Sequence, residues 1–188
     1  MTNHDRISSL VNTVSKTNKI THIGYNMRFT DRIDFIKKKL FTNKTSNIES
    51  VHINVSTDFR KWRKNKNYKE TVSFNKALGG GVINELSHEV DYMIYLFGKP
   101  KELSAYTQDK LEWHPSASSF NGCGITESGT HFSYDANWKS AGRWGIEINL
   151  PDKKLILRPL EKLQIQNKGS LETSFVKLDE EEKDLKFK

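Results

Sequence analysis

An α+β fold with a mostly antiparallel open sheet is the fold class this sequence predicts, and three observations predict it. Helical patterns come early in the chain, consecutive strand patterns come late, and turn residues separate the strands. The composition supports a real core, with 35% hydrophobic and 11% aromatic residues among 188. The length suits one domain, or one and a half small ones.

The elements follow in order. Ile7, Leu10, Val11 and Val14 recur at i, i+3, i+4 and i+7, which predicts an amphipathic helix over 5–18. ITHIGY (20–25) then reads as a short buried strand. Thr30 is placed as the N-cap of a second helix, with Asp31 in its first turn and Ile33, Ile36 and Leu40 on one face. Between Glu49 and Phe59, Val51, Ile53 and Val55 alternate with His52, Asn54 and Ser56, the pattern of a strand with one wet face. The strongest helical pattern spans roughly 82–97 and stops at Gly98-Lys99-Pro100. Beyond it, Phe132, Tyr134, Ala136 and Trp138 alternate, as do Ile146, Ile148 and Leu150. Pro151-Asp152 predicts a hairpin into Leu155 and Leu157, with further strands at Leu163–Ile165 and Phe175-Val176.

The bulk numbers exclude some functions. A single cysteine, Cys123, rules out an internal disulfide and a cysteine-based zinc cluster. No segment has the roughly 18 apolar residues of a membrane span, and the first twenty residues lack the apolar core of a signal peptide. A cytoplasmic protein with no membrane partner is the expectation. The net charge of +7 is uneven: six positive charges and no acid fall within RKWRKNKNYK (60–69), and DEEEKD lies near the end of the chain. The basic stretch, with Trp62 and Tyr68 inside it, has three readings: a solvated loop, a nucleic-acid contact, or a loop that meets phosphate on a small substrate.

The segment richest in chemistry is GGGVINELSHEVDYMIYLFGKP (79–100). Three glycines before a helix allow close backbone approach, and free N–H groups at a helix start favour polar or anionic ligands. It is not a dinucleotide fingerprint, which needs G-x-G-x-x-G between a strand and a helix. At about 100° per residue, Val82, Leu86, Val90, Met93, Ile94 and Phe97 share one side. Asn84, His88, Asp91 and Tyr95 fall nearly opposite, flanked by Glu85 and Tyr92. A solvent face explains such a stripe, but solvent faces are rich in Lys, and none lies between Gly79 and Gly98 in a chain with 30 Lys and Arg. His, Asp and Tyr together can pass a proton near neutral pH. His88 with Glu85 or Asp91 is too small a ligand set for a metal.

This segment resembles the signature helix of the C-terminal domain of the glucose–fructose oxidoreductase/inositol dehydrogenase family. ITHIGYNMRF (20–29) is similar to the strand that ends that family's Rossmann domain, and WRKNKNYKETVSFNKALGGG (62–81) to the loop leading into the signature. WKSAGRWGIEINLPDKKLILRPLEKL (138–163) resembles later strands of polysaccharide- and nucleotide-sugar-linked members. The resemblance implies helices on one face of the sheet. It divides the chain into residues 1–29, the last helix and strand of a Rossmann domain, and residues 30–188, a substrate-binding and oligomerisation domain cut short at its C-terminus.

It also implies roles. His88 is the acid/base for a sugar hydroxyl, with Asn84, Glu85 and Asp91 around it. Many members carry an aspartate where Asn84 stands, and an amide cannot take a proton. Asn26, Arg28, Trp62, Arg63, Tyr68 and Tyr92 are the expected substrate contacts. NAD or NADP is the cofactor of the parent family. The dinucleotide motif and the family's catalytic lysine have no counterpart in these 188 residues, so no tight cofactor binding and no metal site are expected of this chain. The implied function is the substrate-binding part of an NAD(P)-dependent oxidoreductase for a sugar or nucleotide-sugar, inactive as an isolated chain. The alternative is a non-catalytic ligand-binding or oligomerisation module that forms a homo-oligomer through its sheet face. A nucleic-acid partner is the least favoured reading.

Overall fold

The computed structural model describes residues 6–42, 47–108, 111–142, 144–160 and 162–176. The acidic run DEEEKD lies outside them. Helix α1 (Ile7–Thr17) forms where the periodicity places it. Its apolar residues Ile7, Leu10 and Val11 are exposed. Residues 20–25 form no strand, and Ile20 and Ile23 are 89% and 79% exposed. The physical reason is pairing: an extended segment becomes a strand only where a neighbour takes its backbone hydrogen bonds, and no described strand lies beside this one.

A 3-10 turn (Asn26–Phe29) leads into helix α2 (Asp31–Thr42). Thr30 opens α2 through its carbonyl, which accepts the Asp34 N–H. Its hydroxyl donates to the Met27 carbonyl at 3.0 Å. Ile33 and Ile36 are fully buried; the side chain of Leu40 lies outside the described residues.

Strand β1 (Ser50–Ser56) has the predicted alternation, with Val51, Ile53 and Val55 inside. Each contributes about 1.5–3 kcal/mol by burial. A short helix α3 (Phe59–Trp62) opens the basic segment. The segment 82–97 is two helices, α4 (Val82–Glu85) and α5 (His88–Phe97), not one. Leu86 leaves helical geometry at φ −103° and ψ 31°, and its carbonyl accepts the Tyr134 hydroxyl at 2.8 Å. That break turns α5 relative to the single-helix projection. Val82, Leu86, Met93 and Phe97 are buried as predicted, but Glu89, Asp91, Tyr92 and Leu96 join them, and Val90 and Ile94 are only half-buried.

Among the described residues seven further strands join the sheet: β2 (Pro100–Gln108), β3 (Ser119–Thr126), β4 (His131–Asn137), β5 (Gly145–Asn149), β6 (Lys153–Leu157), β7 (Leu163–Asn167) and β8 (Ser174–Phe175). Their order is β2-β3-β4-β1-β5-β6-β7-β8. Only β1 and β4 run parallel, with Ile53 opposite Tyr134; β1 and β5 run antiparallel, with Ile53 opposite Ile146. The hairpin at Pro151-Asp152 joins β5 to β6 as expected. One sheet face meets the helices and carries the core. The other is polar, with His52 Nδ1 2.6 Å from Ser133 Oγ and Asp135 accepting from both Asn54 and Asn121. β2 and β3 carry no clean alternation in the sequence, because β2 is an edge strand exposed along nearly its whole length.

Candidate functional site

Two groups of side chains contain most of the predicted site. The first lies where the 3-10 turn meets α5. Arg28 grips Asp91 at two points, Nε to Oδ2 at 2.6 Å and a terminal nitrogen to Oδ1 at 2.5 Å. Asp91 is 8% exposed and Arg28 34%. The hydrogen bonding to Asp91 raises the guanidinium pKa above its ordinary value. The guanidinium also lies 5.0 Å from the centre of the Tyr95 ring, and the Lys37 amine lies 3.4 Å from it. Asp91 thus serves Arg28, not His88.

His88 begins α5, half-buried, with its ring edge-on to Tyr25 at 5.5 Å. Its Nδ1 is buried with no hydrogen-bond partner. The Tyr25 hydroxyl reaches Ser87 Oγ at 3.4 Å. Tyr25 and Ser87 are absent from the residues read out of the sequence, although each is the immediate neighbour of one that was. Asn26 is exposed at the start of the 3-10 turn.

The predicted neighbours of His88 on α4 do other work. Asn84 is exposed, and its amide donates to the Gly79 carbonyl at 2.8 Å. Glu85 is half-buried at the end of α4. The glycine run approaches its own chain, not a ligand: a Cβ on Gly80 would lie 2.9 Å from the Asn75 carbonyl oxygen and collide with Ser73. The Val82 N–H is already donated to the Ala117 carbonyl. The Gly79 and Gly80 N–H groups are likewise donated, to the Lys76 and Asn75 carbonyls.

The second group is aromatic. Phe59 stacks on Trp138 at 4.5 Å, and His114 meets Trp138 at 4.5 Å, Phe59 at 5.0 Å and Phe74 at 5.1 Å. Trp62 and Tyr68, predicted as substrate contacts, are half-buried against Phe59. Arg63 is exposed beside the Trp62 ring at 5.7 Å. Tyr92 is fully buried in the core, not at the surface where a substrate contact was expected. His114, 5% exposed, accepts the Ser116 N–H at Nδ1, which leaves its proton on Nε2. Burial pushes its pKa down, so the ring is neutral; backbone groups of Ser116 and Ser73 offset this in part. Nothing in the spacing around Trp113-His114-Pro115 marks it as a core element.

The basic segment is partly neutralised. Asp58 binds Arg60 at 3.1 and 3.2 Å and lies 3.9 Å from Lys61. Arg63, Lys64, Lys66 and Lys69 remain exposed around a left-handed Asn65. Among the described residues no three His, Cys, Asp or Glu side chains gather as metal ligands, and no helix is long and apolar enough to cross a membrane.

Comparison with known proteins bears on the family and the fold. The family model described as GFO/IDH/MocA C-terminal domain matches residues 46–154. No curated protein matches the chain by sequence. Among solved structures, levoglucosan dehydrogenase in complex with NADH and levoglucosan is similar at a TM-score of 0.72 and 17% identity, over 90% of this chain and 49% of that one. An NAD binding oxidoreductase from Klebsiella pneumoniae is similar at 0.73 and 14%, over 93% and 51%. The UDP-N-acetylglucosamine 3-dehydrogenase GnnA from Acidithiobacillus ferrooxidans is similar at 0.67 and 14%, over 92% and 51%. At these identities the likeness is one of fold, and the chain spans about half the length of each of these three structures.

Proposed function

The chain belongs to the GFO/IDH/MocA C-terminal domain family, and from that premise we propose that it is the substrate-binding part of an NAD(P)-dependent oxidoreductase acting on a sugar or nucleotide-sugar. The observation that carries the reading is His88, half-buried at the start of α5 with one ring nitrogen inside the protein. That arrangement leaves Nε2 as the atom to exchange a proton with a sugar hydroxyl. The nicotinamide, when bound, supplies the hydride acceptor or donor.

The other residues support His88. Arg28 fixes Asp91 and so the turn of α5 that carries His88. Asn84 holds the glycine turn through the Gly79 carbonyl. Glu85 is the nearest free acid on α4, and Asn26 lies at the edge of the site. Arg63 and Tyr68, with Trp62 behind them, face a phosphate-bearing part of the substrate, with Lys64, Lys66 and Lys69 adding charge. Residues 1–29 belong with the dinucleotide-binding part and 30–188 with the substrate domain. These 188 residues alone do not turn substrate over, since they contain no G-x-G-x-x-G loop.

Calorimetry on the isolated chain tests this. A nucleotide-sugar is expected to bind, more weakly in a Lys64→Ser, Lys66→Ser, Lys69→Ser variant, while NADH and NADPH do not bind at micromolar concentration. Micromolar NADH binding, or no binding of any sugar or nucleotide-sugar in a broad panel, would refute it. A second reading, a module that self-associates through its sheet, is favoured by the open polar face and the exposed Leu103 and Tyr106 of β2. Light scattering after size exclusion tests it; a clean monomer at high concentration removes it.

A further inference from the structure

The core holds a carboxyl group that no ion pair among the described residues accounts for. Glu89 on α5 is 1% exposed, and neither carboxylate oxygen has a hydrogen-bond partner. Tyr92, one helical turn on, is fully buried and its hydroxyl is likewise unpartnered. From the sheet, Tyr134 of β4 faces the same side, but its hydroxyl is committed to the Leu86 carbonyl. The field of Glu89 acts on both tyrosines, and Asp135 acts on Tyr134 from the strand. Among the described residues no cation offsets Glu89, and only its own backbone acts against desolvation. Arg28, the cation held by α5, is bound to Asp91.

A charged carboxylate cannot persist unpaired in such a place; it takes up a proton instead. We propose that Glu89 stands in the core as a neutral carboxylic acid linked to the Tyr92 hydroxyl, and that its ionisation releases α5 from the sheet. The neutral acid has a donor as well as an acceptor, so one internal water can join it to the tyrosine hydroxyl that the structure leaves unpartnered. The carboxylate draws in water and separates α5 from the sheet. His88 precedes Glu89 and Asp91 follows it, so release of α5 moves both, whatever reaction the site serves.

Burial raises the Glu89 pKa from 4.5 to about 8. Between these values the native state holds a proton that the unfolded chain has lost. The contribution of Glu89 to stability is therefore complete below 4.5, drains as pH rises, and is gone above about 8.

Infrared difference spectra of the wild type against Glu89→Gln test the first part. A protonated carboxylic acid band is expected near neutral pH, vanishing as pH passes about 8; no such band near neutral pH overturns the proposal. Hydrogen exchange tests the lock. The protection factors of α5 amides should fall about tenfold per pH unit within that window in the wild type and stay level in Glu89→Gln. Equal pH responses in the two proteins overturn it. Should Glu89→Gln fail to fold, glutamate labelled with carbon-13 identifies the band in the wild type, and a urea midpoint that does not fall from about pH 6 to pH 8 overturns the lock.

Discussion

Arg28 and Asp91, 63 residues apart, are joined by two parallel charge-assisted hydrogen bonds of 2.6 and 2.5 Å. The pair is the main polar tie between the 3-10 turn and α5. It also explains the apparent histidine–aspartate dyad in S-H-E-V-D: Asp91 is one turn from His88 along the helix but spends both oxygens on Arg28. The planar guanidinium fits a carboxylate at two points, which a lysine cannot do.

Replacing Arg28 with Ala should cost about 2–4 kcal/mol in urea unfolding, because Asp91 is left buried and unpaired. Arg28→Lys should recover only part of that. The double change Arg28→Ala with Asp91→Asn should cost less than the sum of the two single changes. A strictly additive result would show that the ion pair couples nothing.

Stability should also decline on the acid side. His114 has a pKa pushed below 6.5 by burial among Phe59, Phe74 and Trp138. Below 6.5 the unfolded chain takes up a proton that the native ring refuses. Its contribution is thus complete above 6.5 and is lost as pH falls through the lower native value. His114→Gln should flatten that limb of a melting-temperature profile; an unchanged slope would assign it to other groups.

Gly80→Ala should be destabilising by about 1–3 kcal/mol, since the added methyl meets the backbone carbonyls of Ser73 and Asn75. Gly98→Ala should be milder. The space there is open, and only the left-handed φ of 92° opposes it. Thermal melts of the two variants check the order.

The basic loop should discriminate by phosphate. Lys64→Ser, Lys66→Ser and Lys69→Ser together should weaken a phosphate-bearing sugar about tenfold or more and leave a neutral sugar unchanged, as titration calorimetry reads it. The same chain should show no retention on DNA or RNA columns at low salt. Steeply salt-dependent retention would favour the nucleic-acid reading of this loop.

Much of the fold was legible from residue order. Alternation over Val51–Val55, Phe132–Trp138 and Ile146–Leu150, with a turn at Pro151-Asp152, marks strands because a half-buried sheet has a period of two. Periodicity also finds α1 and α2. It places 82–97 as a single helix because nothing local announces the break at Leu86. The break is fastened by Tyr134, a residue 48 positions away.

The site was legible in type and less so in geometry. His88 and Asp91 stand out by chemistry and Arg28 by the family resemblance, and the structure brings Arg28 to Asp91. Their partnership was hidden because no local pattern links a turn at 26–29 to a helix at 88–97. Tyr92 and Trp62 look like exposed contacts in a helical projection or a basic loop, yet the core claims the first and the aromatic cluster half of the second.

By itself, then, the sequence determined most of the helices and core strands and where the β5–β6 hairpin turns, but not β2, β3, the break at Leu86 or the absence of a strand over 20–25. The elements it determined depend on neighbours a few positions apart. Tertiary structure alone decided that β1 lies between β4 and β5, that the glycine run packs on Ser73 and Asn75, and that Asp91 answers to Arg28. It also decided that Glu89, an acid beside a histidine on a helix, points into the core. Burial and pairing arise only when distant segments meet, and the free energy that settles them is not present in any one of those segments.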